Sequence, residues 1–269
     1  MKKYIQYIPV FLLLFFASCE EVVEVDLEES EPRLVIEASI VWYKGTSGNQ
    51  QSIELSETSP FYEEELTPVE NASVFIISEN GDEFEFTNEG EGYYVNTEFQ
   101  PELNQSYELE INYEGQLYRA SETLIPVSPI DYVEQTESGG FSGEDIEIKA
   151  YYTDPVEEEN YYLFKFRNDG VNLEFYEDEF TNGNQIFGYF SNEDIETNDV
   201  IGIEIQGISK RYYEYLFILR SQVGSSDGGP FETMPATVKG NIINETNKEN
   251  YPFGYFRLSE ADSTFYSVE

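Results

Sequence analysis

A chain with 54 aspartates and glutamates and no histidine has a narrow chemical repertoire. Ser-His-Asp and Cys-His catalysis are excluded, and so are the usual zinc sites, which need imidazole or several thiolates. Carboxylate, tyrosine, lysine, serine or calcium chemistry remains open. Two carboxylates about 5–9.5 Å apart could hydrolyse a glycosidic bond. So many acids produce such pairs by chance, and nothing marks one pair as buried, so no catalytic residue is assigned. Calcium could sit at Asp178, Glu179, Asn182 and Asn184, or at Asn192, Glu193 and Asp194. Neither stretch has the spaced calcium-loop pattern, and solvated turns are the preferred reading, so no cofactor is expected. Trp42 and Tyr43 precede a glycine loop, and Phe187, Tyr189 and Phe190 stand near another; either set could form a ligand platform that stacks on a sugar. Tyr255 and Phe256 read as core.

The single cysteine has the most specific surroundings. Lys2 and Lys3 precede an apolar run from Ile8 to Ala17, then Ser18 and Cys19. This is the layout of a secretion signal. Phe16-Ala17-Ser18-Cys19 resembles the box of a bacterial lipoprotein signal, with phenylalanine where leucine is usual. The resemblance implies cleavage before Cys19, a diacylglyceryl thioether on its sulfur and an acylated new N-terminus. Two acyl chains suffice for stable anchoring. An uncleaved membrane helix is the plainer alternative, but Tyr4 to Ser18 is too short for a span of about 20 residues and includes Gln6 and Pro9. An ordinary signal with an incidental cysteine is the other. The acidic run from Glu20 to Glu29 reads as a solvated tether. It also resembles the export signal that sends Bacteroidota lipoproteins to the outer face of the outer membrane.

Cleavage after residue 18 would remove two lysines and take the net charge from −40 to −42. Such a body repels phosphate backbones, so nucleic acid is not an expected partner. Apolar residues still make up 40% of the chain, with 22 Tyr and 20 Phe, enough to bury a core or two small ones. Tyrosine-rich alternating segments favour an all-β protein.

Residues 33–127 read as about seven short strands, an immunoglobulin-like β-sandwich. Asn80-Gly81 is expected to supply the positive φ angles of a tight hairpin, and Glu114-Gly115 turns a second one. Tyr107 follows the turn at 101–105 and is similar to a tyrosine corner; a plain strand tyrosine is the alternative. Pro126-Val127-Ser128-Pro129 reads as a stiff linker, and Ser138 to Gly143 as a loop. Residues 128–269 read as a second antiparallel β domain, with strands at 145–153, 160–168, 171–180, 184–190 and 199–207. A helix is expected near 209–223, with Tyr212, Tyr215, Leu216, Leu219 and Val223 on one face and a Lys210–Glu214 pair. A closing strand is expected at 251–259.

Several phrases, in order, carry a family resemblance: Leu34-Val35-Ile36-Glu37-Ala38, Tyr118-Arg119-Ala120-Ser121, Pro126-Val127-Ser128-Pro129-Ile130-Asp131, Asp154-Pro155, Tyr212-Tyr213-Glu214-Tyr215 and Pro252-Phe253-Gly254-Tyr255-Phe256. Together they resemble the Bacteroidota lipoprotein family called domain of unknown function 4249. Phe253 departs from the smaller residue usual there. The resemblance implies an outer-membrane lipoprotein, often encoded beside a TonB-dependent receptor; it supplies no activity and no catalytic residues. Asp262-Ser263-Thr264 resembles the short O-glycosylation acceptor of that phylum. The expected function is a non-enzymatic outer-membrane surface lipoprotein, an accessory to a TonB-dependent nutrient receptor. A surface adhesion or carbohydrate-binding protein is the alternative, and a carboxylate hydrolase comes third.

Overall fold

The computed structural model describes residues 31–60, 66–140, 143, 145–156, 158–179, 182–223 and 237–269. Cys19, the signal segment and the tether up to residue 30 lie outside them. Among the described residues sixteen strands and one helix are found, so the chain is mainly β.

The first half follows its alternation. In β1 (Leu34–Tyr43), Leu34, Ile36, Ala38 and Ile40 are buried and the residues between them are not. The same period-2 pattern runs through β2 (Gln51–Glu57), β4 (Ser73–Ser78), β7 (Ser106–Tyr113) and β8 (Gln116–Ile125). The short β3 (Thr67–Pro68) pairs with β2. The strands β5 (Glu83–Gly90) and β6 (Tyr93–Asn96) complete this half. Their inner side chains form one cluster with Phe86, Tyr94, Phe99, Tyr107 and Tyr118. Fully burying each large apolar side chain contributes about 1.5–3 kcal/mol.

The second half adds β9 (Ile130–Gly139), β10 (Asp145–Thr153), β11 (Tyr161–Arg167), β12 (Val171–Glu177), β13 (Gln185–Ser191), β14 (Val200–Ile208), the helix α1 (Lys210–Val223), β15 (Ile243–Asn244) and β16 (Phe253–Ser267). Here a second cluster lies between two sheets. Ile148, Ala150, Tyr152 and Phe190 of the three-stranded sheet β13-β10-β9 meet Phe164, Phe166, Ile201, Ile203 and Ile205 of the other. Phe166 stacks on Phe190 at 5.5 Å between ring centroids.

The strand order runs through both halves of the chain. β16 belongs to both halves. Its first residues pair in parallel with β1, from Val35↔Phe253 to Tyr43↔Ala261, and its last ones pair antiparallel with β14. Leu258 and Ser259 also pair with Leu124 and Ile125 of β8. The strands β16-β1-β2-β6-β5-β4-β7-β8 therefore close into a barrel-like ring of eight, which leaves no free edge inside it. From β16 the sheet continues outward as β14-β11-β12.

Four local differences have physical causes. The closing strand does not stop at 259, because residues 261–267 pair with β14, and Glu260 and Asp262 accept hydrogen bonds from the backbone N–H groups of Val127 (2.9 Å) and Ile130 (2.8 Å). The strand β9 begins directly after the prolines, pairs with β10 and takes in Ser138 and Gly139, the first two residues of the expected 138–143 loop. Only Gly81 of the Asn80-Gly81 pair has a positive φ, and the turn spans four residues, closed by Ser78 N–H to Asp82 O at 2.9 Å. Lys210 leaves Glu214 and pairs with Glu159 at 2.8 Å. Tyr107 does tie its turn: its hydroxyl accepts from Glu102 N–H at 2.9 Å and donates to Gln100 O at 3.1 Å.

The helix begins at Ser209, whose Oγ accepts from Tyr212 N–H at 3.2 Å. Tyr212, Tyr213 and Leu216 cover Tyr161, Leu163 and Ile208 on the outer side of the sheet, away from the second cluster.

Candidate functional site

The alternation that sends Ile203 and Ile205 into the core sends Glu204 and Gln206 to the outer face. In the paired strands Lys165 and Arg167, Arg257, Ser259 and Ser263, and Ser39, Val41 and Tyr43 come to the same side. The helix covers one end of this face; Glu204, Gln206, Arg257 and Ser259 are buried in it, while Tyr43, Arg167 and Ser263 reach the surface.

Glu204 is the centre. It is 2% exposed, and its Oε2 accepts from Arg167 Nη1 at 2.8 Å and from the Tyr43 hydroxyl at 2.9 Å. Lys165 Nζ stands 3.6 Å from Oε1, which also accepts from the Gln206 amide. The Gln206 Oε1 in turn accepts from Arg257 Nη1 at 2.6 Å, and Arg257 also donates to Ser259 Oγ at 3.0 Å. Burial alone would raise the Glu204 carboxyl, but Lys165, Arg167 and the hydrogen bonds outweigh it and hold it below the usual range. Burial lowers the Lys165 ammonium; Glu204 favours its charge, while Arg257 and Arg167 beside it add to the lowering. Burial and then Glu204 push the Tyr43 phenol up to about 12. Two cations, Lys165 and Arg167, thus share one carboxylate, and Arg257 joins them through Gln206, in a chain with 14 Lys and Arg against 54 acids.

Two hollows flank Tyr43. The larger, of about 560 Å³, has Ser39, Val41, Ser52 and Val95 as its floor and residues 46–50 as its wall. It exists because β1 and β2 part company. Their pairing runs only from Leu34↔Glu57 to Glu37↔Glu54. Beyond that the buried Gln51 side chain stands in for the missing ladder, accepting from Val41 N–H at 3.1 Å and donating to Val41 O at 3.0 Å and Gly48 O at 2.9 Å. Although 25% of the chain is charged, no charged side chain lines this hollow. The smaller hollow, of about 330 Å³, lies on the other side of Tyr43, between Arg167, Glu204, Ser263, Thr264 and Phe265.

The structure thus brings together Tyr43 and Ser263 of the residues singled out from sequence. Trp42 points the other way; it packs against the first cluster and donates to Thr46 O at 2.9 Å. Phe187 and Tyr189 are exposed on the three-stranded sheet, where Phe187 joins a row with Tyr151 and Tyr132 at centroid spacings of 5.1 and 4.5 Å. Phe190 is buried in the second cluster. Tyr255 and Phe256 are both buried. Asp178 is buried, Glu179 exposed, and the Asn182 and Asn184 amides donate to Glu158 O (2.8 Å) and Asn182 O (3.3 Å). Asn192 accepts from Asp194 N–H at 3.0 Å, and Glu193 is exposed. Among the described residues no group of three or more acids is arranged to hold a metal ion. Cys19 lies outside them.

Sequence reasoning missed Lys165, Arg167, Glu204 and Arg257. The signal was there: charged residues inside strands that are otherwise apolar, two positions apart in Lys165-Phe166-Arg167.

The family model described as "Domain of unknown function (DUF4249)" matches residues 20–264. No curated protein matches the chain. Among solved structures, a cytokine receptor complex is 9% identical over 67% of this chain and 86% of that one, with a TM-score of 0.27. A DUF4785 family protein from Legionella pneumophila is 13% identical over 67% and 54%, at 0.27. A two fibronectin type-III domain segment from chicken tenascin is 10% identical over 68% and 89%, at 0.21. None of the three shares enough of its Cα path to bear on the fold.

Proposed function

Because this chain belongs to the DUF4249 family, we propose that it is a non-enzymatic lipoprotein of the Bacteroidota outer membrane, facing the cell exterior as an accessory to a TonB-dependent nutrient receptor. The observation that carries the anchored reading is the position of Cys19, the only cysteine, directly after Lys2-Lys3, an apolar run and two small residues. Acyl chains on its sulfur hold a body whose charge of −42 would otherwise be repelled by anionic head groups. The two hydrophobic clusters are read as an immunoglobulin-like sandwich over 33–127 and a second antiparallel β domain over 128–269, with β16 shared between them.

Fractionation tests the anchor. Wild-type protein should sediment with membranes and Cys19→Ser should appear in the aqueous fraction; a Cys19→Ser protein that still sediments overturns it. Affinity purification in mild detergent tests the partnership. A co-purifying barrel receptor supports it, and recovery of none overturns it.

The second reading, a surface carbohydrate-binding protein, is favoured by the hollow beside Tyr43. Its hydroxyls and amides, free of charge, suit a neutral polar ligand. Retention of an oligosaccharide that Tyr43→Ala abolishes would favour it.

A further inference from the structure

The two hollows that share Tyr43 differ in chemistry. One is lined by Ser39, Ser52, Gln50 and other uncharged groups; the other presents Arg167 beside Ser263 and Thr264. We propose that together they form one binding site for an acidic saccharide, with sugar hydroxyls in the uncharged hollow and a carboxylate or sulfate of the glycan at Arg167. This rests on the second reading above and names its ligand class.

Four observations carry it. First, Lys165 and Arg167 share the Glu204 carboxylate, and Arg257 joins them through Gln206, in a chain where acids outnumber bases 54 to 14. A purely structural ion pair needs one cation for Glu204, whereas surplus positive charge at a partly open place suits an incoming anion. Second, Arg167 offers five N–H donors in a planar fork, and Glu204 takes one of them at 2.8 Å. Its side chain is 42% exposed, so the fork can be reached from the smaller hollow. Third, the Tyr43 ring is held in place. Its hydroxyl is fixed on Glu204 while the residue remains 37% exposed, which presents a preorganised aromatic surface between the two hollows. Fourth, Phe265, 79% exposed, adds an apolar wall beyond Arg167, and Gly202 opposite it keeps that part of the floor low. The negative charge of the rest of the body acts only weakly at this place, because the Debye length is about 8 Å at physiological salt.

The test is titration calorimetry at physiological ionic strength on the full chain in detergent. The probes are an oligogalacturonate for a carboxylate ligand, a heparin hexasaccharide for a sulfated one, and maltohexaose as the neutral control. At least one acidic probe should bind. Arg167→Gln should weaken it by about tenfold or more, as loss of a charge-assisted hydrogen bond does. Tyr43→Ala should weaken it too. Arg167 also partners Glu204, so a second variant, Ser263→Trp, fills the smaller hollow from an exposed position while keeping the Arg167 guanidinium and the Glu204 carboxylate; it should also abolish binding. Circular dichroism checks that each variant is folded. Binding of maltohexaose alone, unaffected by Arg167→Gln, would overturn this inference and leave the second reading standing. Binding of none of the three probes would overturn the inference. Acidic-probe binding that survives both Arg167→Gln and Ser263→Trp would place the ligand elsewhere and overturn it as well.

Discussion

The Glu260 carboxylate accepts a hydrogen bond from the backbone N–H of Val127 at 2.9 Å and, on the same oxygen, one from Lys44 Nζ at 2.7 Å. These residues come from the last strand, the stretch between β8 and β9, and the β1–β2 loop. Removing the carboxylate leaves a buried N–H and a partly buried ammonium without a partner. Glu260→Ala should therefore cost about 3 kcal/mol, measured by urea titration. Glu260→Gln keeps an acceptor and should cost less. Equal losses in the two variants would mean that charge, not the N–H acceptor, sets the effect.

Tyr107 ties the turn at 100–105 through its hydroxyl. Tyr107→Phe keeps the ring in the first cluster and removes both hydrogen bonds, with Glu102 N–H and Gln100 O. The expected loss is about 1–3 kcal/mol. Hydrogen exchange should rise at the Glu102 amide and not at Leu109 in the same strand. A global rise in exchange without the local one would count against the tie.

Gly254 has a φ of +97°, and a Cβ there would lie 2.0 Å from Ile36 O of the neighbouring strand. Both the backbone conformation and the contact exclude a side chain. Gly254→Ala should destabilise by more than about 2 kcal/mol. Gly115→Ala is the control: its φ is also positive, at +74°, but a Cβ there meets nothing within 4 Å. The control should cost about 1 kcal/mol.

Stability should depend on pH at both ends. At the alkaline end, phenols such as Tyr43, raised to about 12, keep their protons in the folded state while the unfolded chain releases them near 10. Their contribution is complete below 10 and is lost as pH rises towards 12. At the acidic end, burial raises the Glu122 carboxyl, so its cost at neutral pH is recovered as pH falls through its folded pKa. Glu204 has the opposite sign. Its contribution is present above 4.5 and lost as pH falls through its lowered folded pKa. A melting temperature followed from pH 3 to 11 should pass through a maximum on the acidic side of neutrality. A monotonic rise up to pH 9 would contradict this assignment.

Much of the architecture could be read from spacing. The buried and exposed positions of β1, β4 and β7 alternate with their apolar residues, and α1 starts where the helix is expected, capped by Ser209. The path of β16 was hidden, because Glu260-Ala261-Asp262-Ser263-Thr264 looks like a polar loop. What makes it a strand is non-local: β14 pairs with residues 261–267, and Val127 and Ile130 supply the donors that satisfy Glu260 and Asp262. The site was half legible. Tyr43 could be picked as an aromatic beside a glycine loop, but the splay of β1 from β2 depends on how the Gln51 amide folds back onto Val41. Nor does sequence reveal that Lys165, Arg167 and Arg257 converge, since the three come from two strands separated by β14.

The parallel register of β1 with β16 also has a mechanical side. Nine residue pairs lie side by side from Val35↔Phe253 to Tyr43↔Ala261. Tension that enters the body at Arg33 runs along β1 and loads these bonds in shear, all at once, rather than peeling them one by one. A protein towed by its amino-terminal end through a moving fluid would grip hardest at that seam and give way first elsewhere.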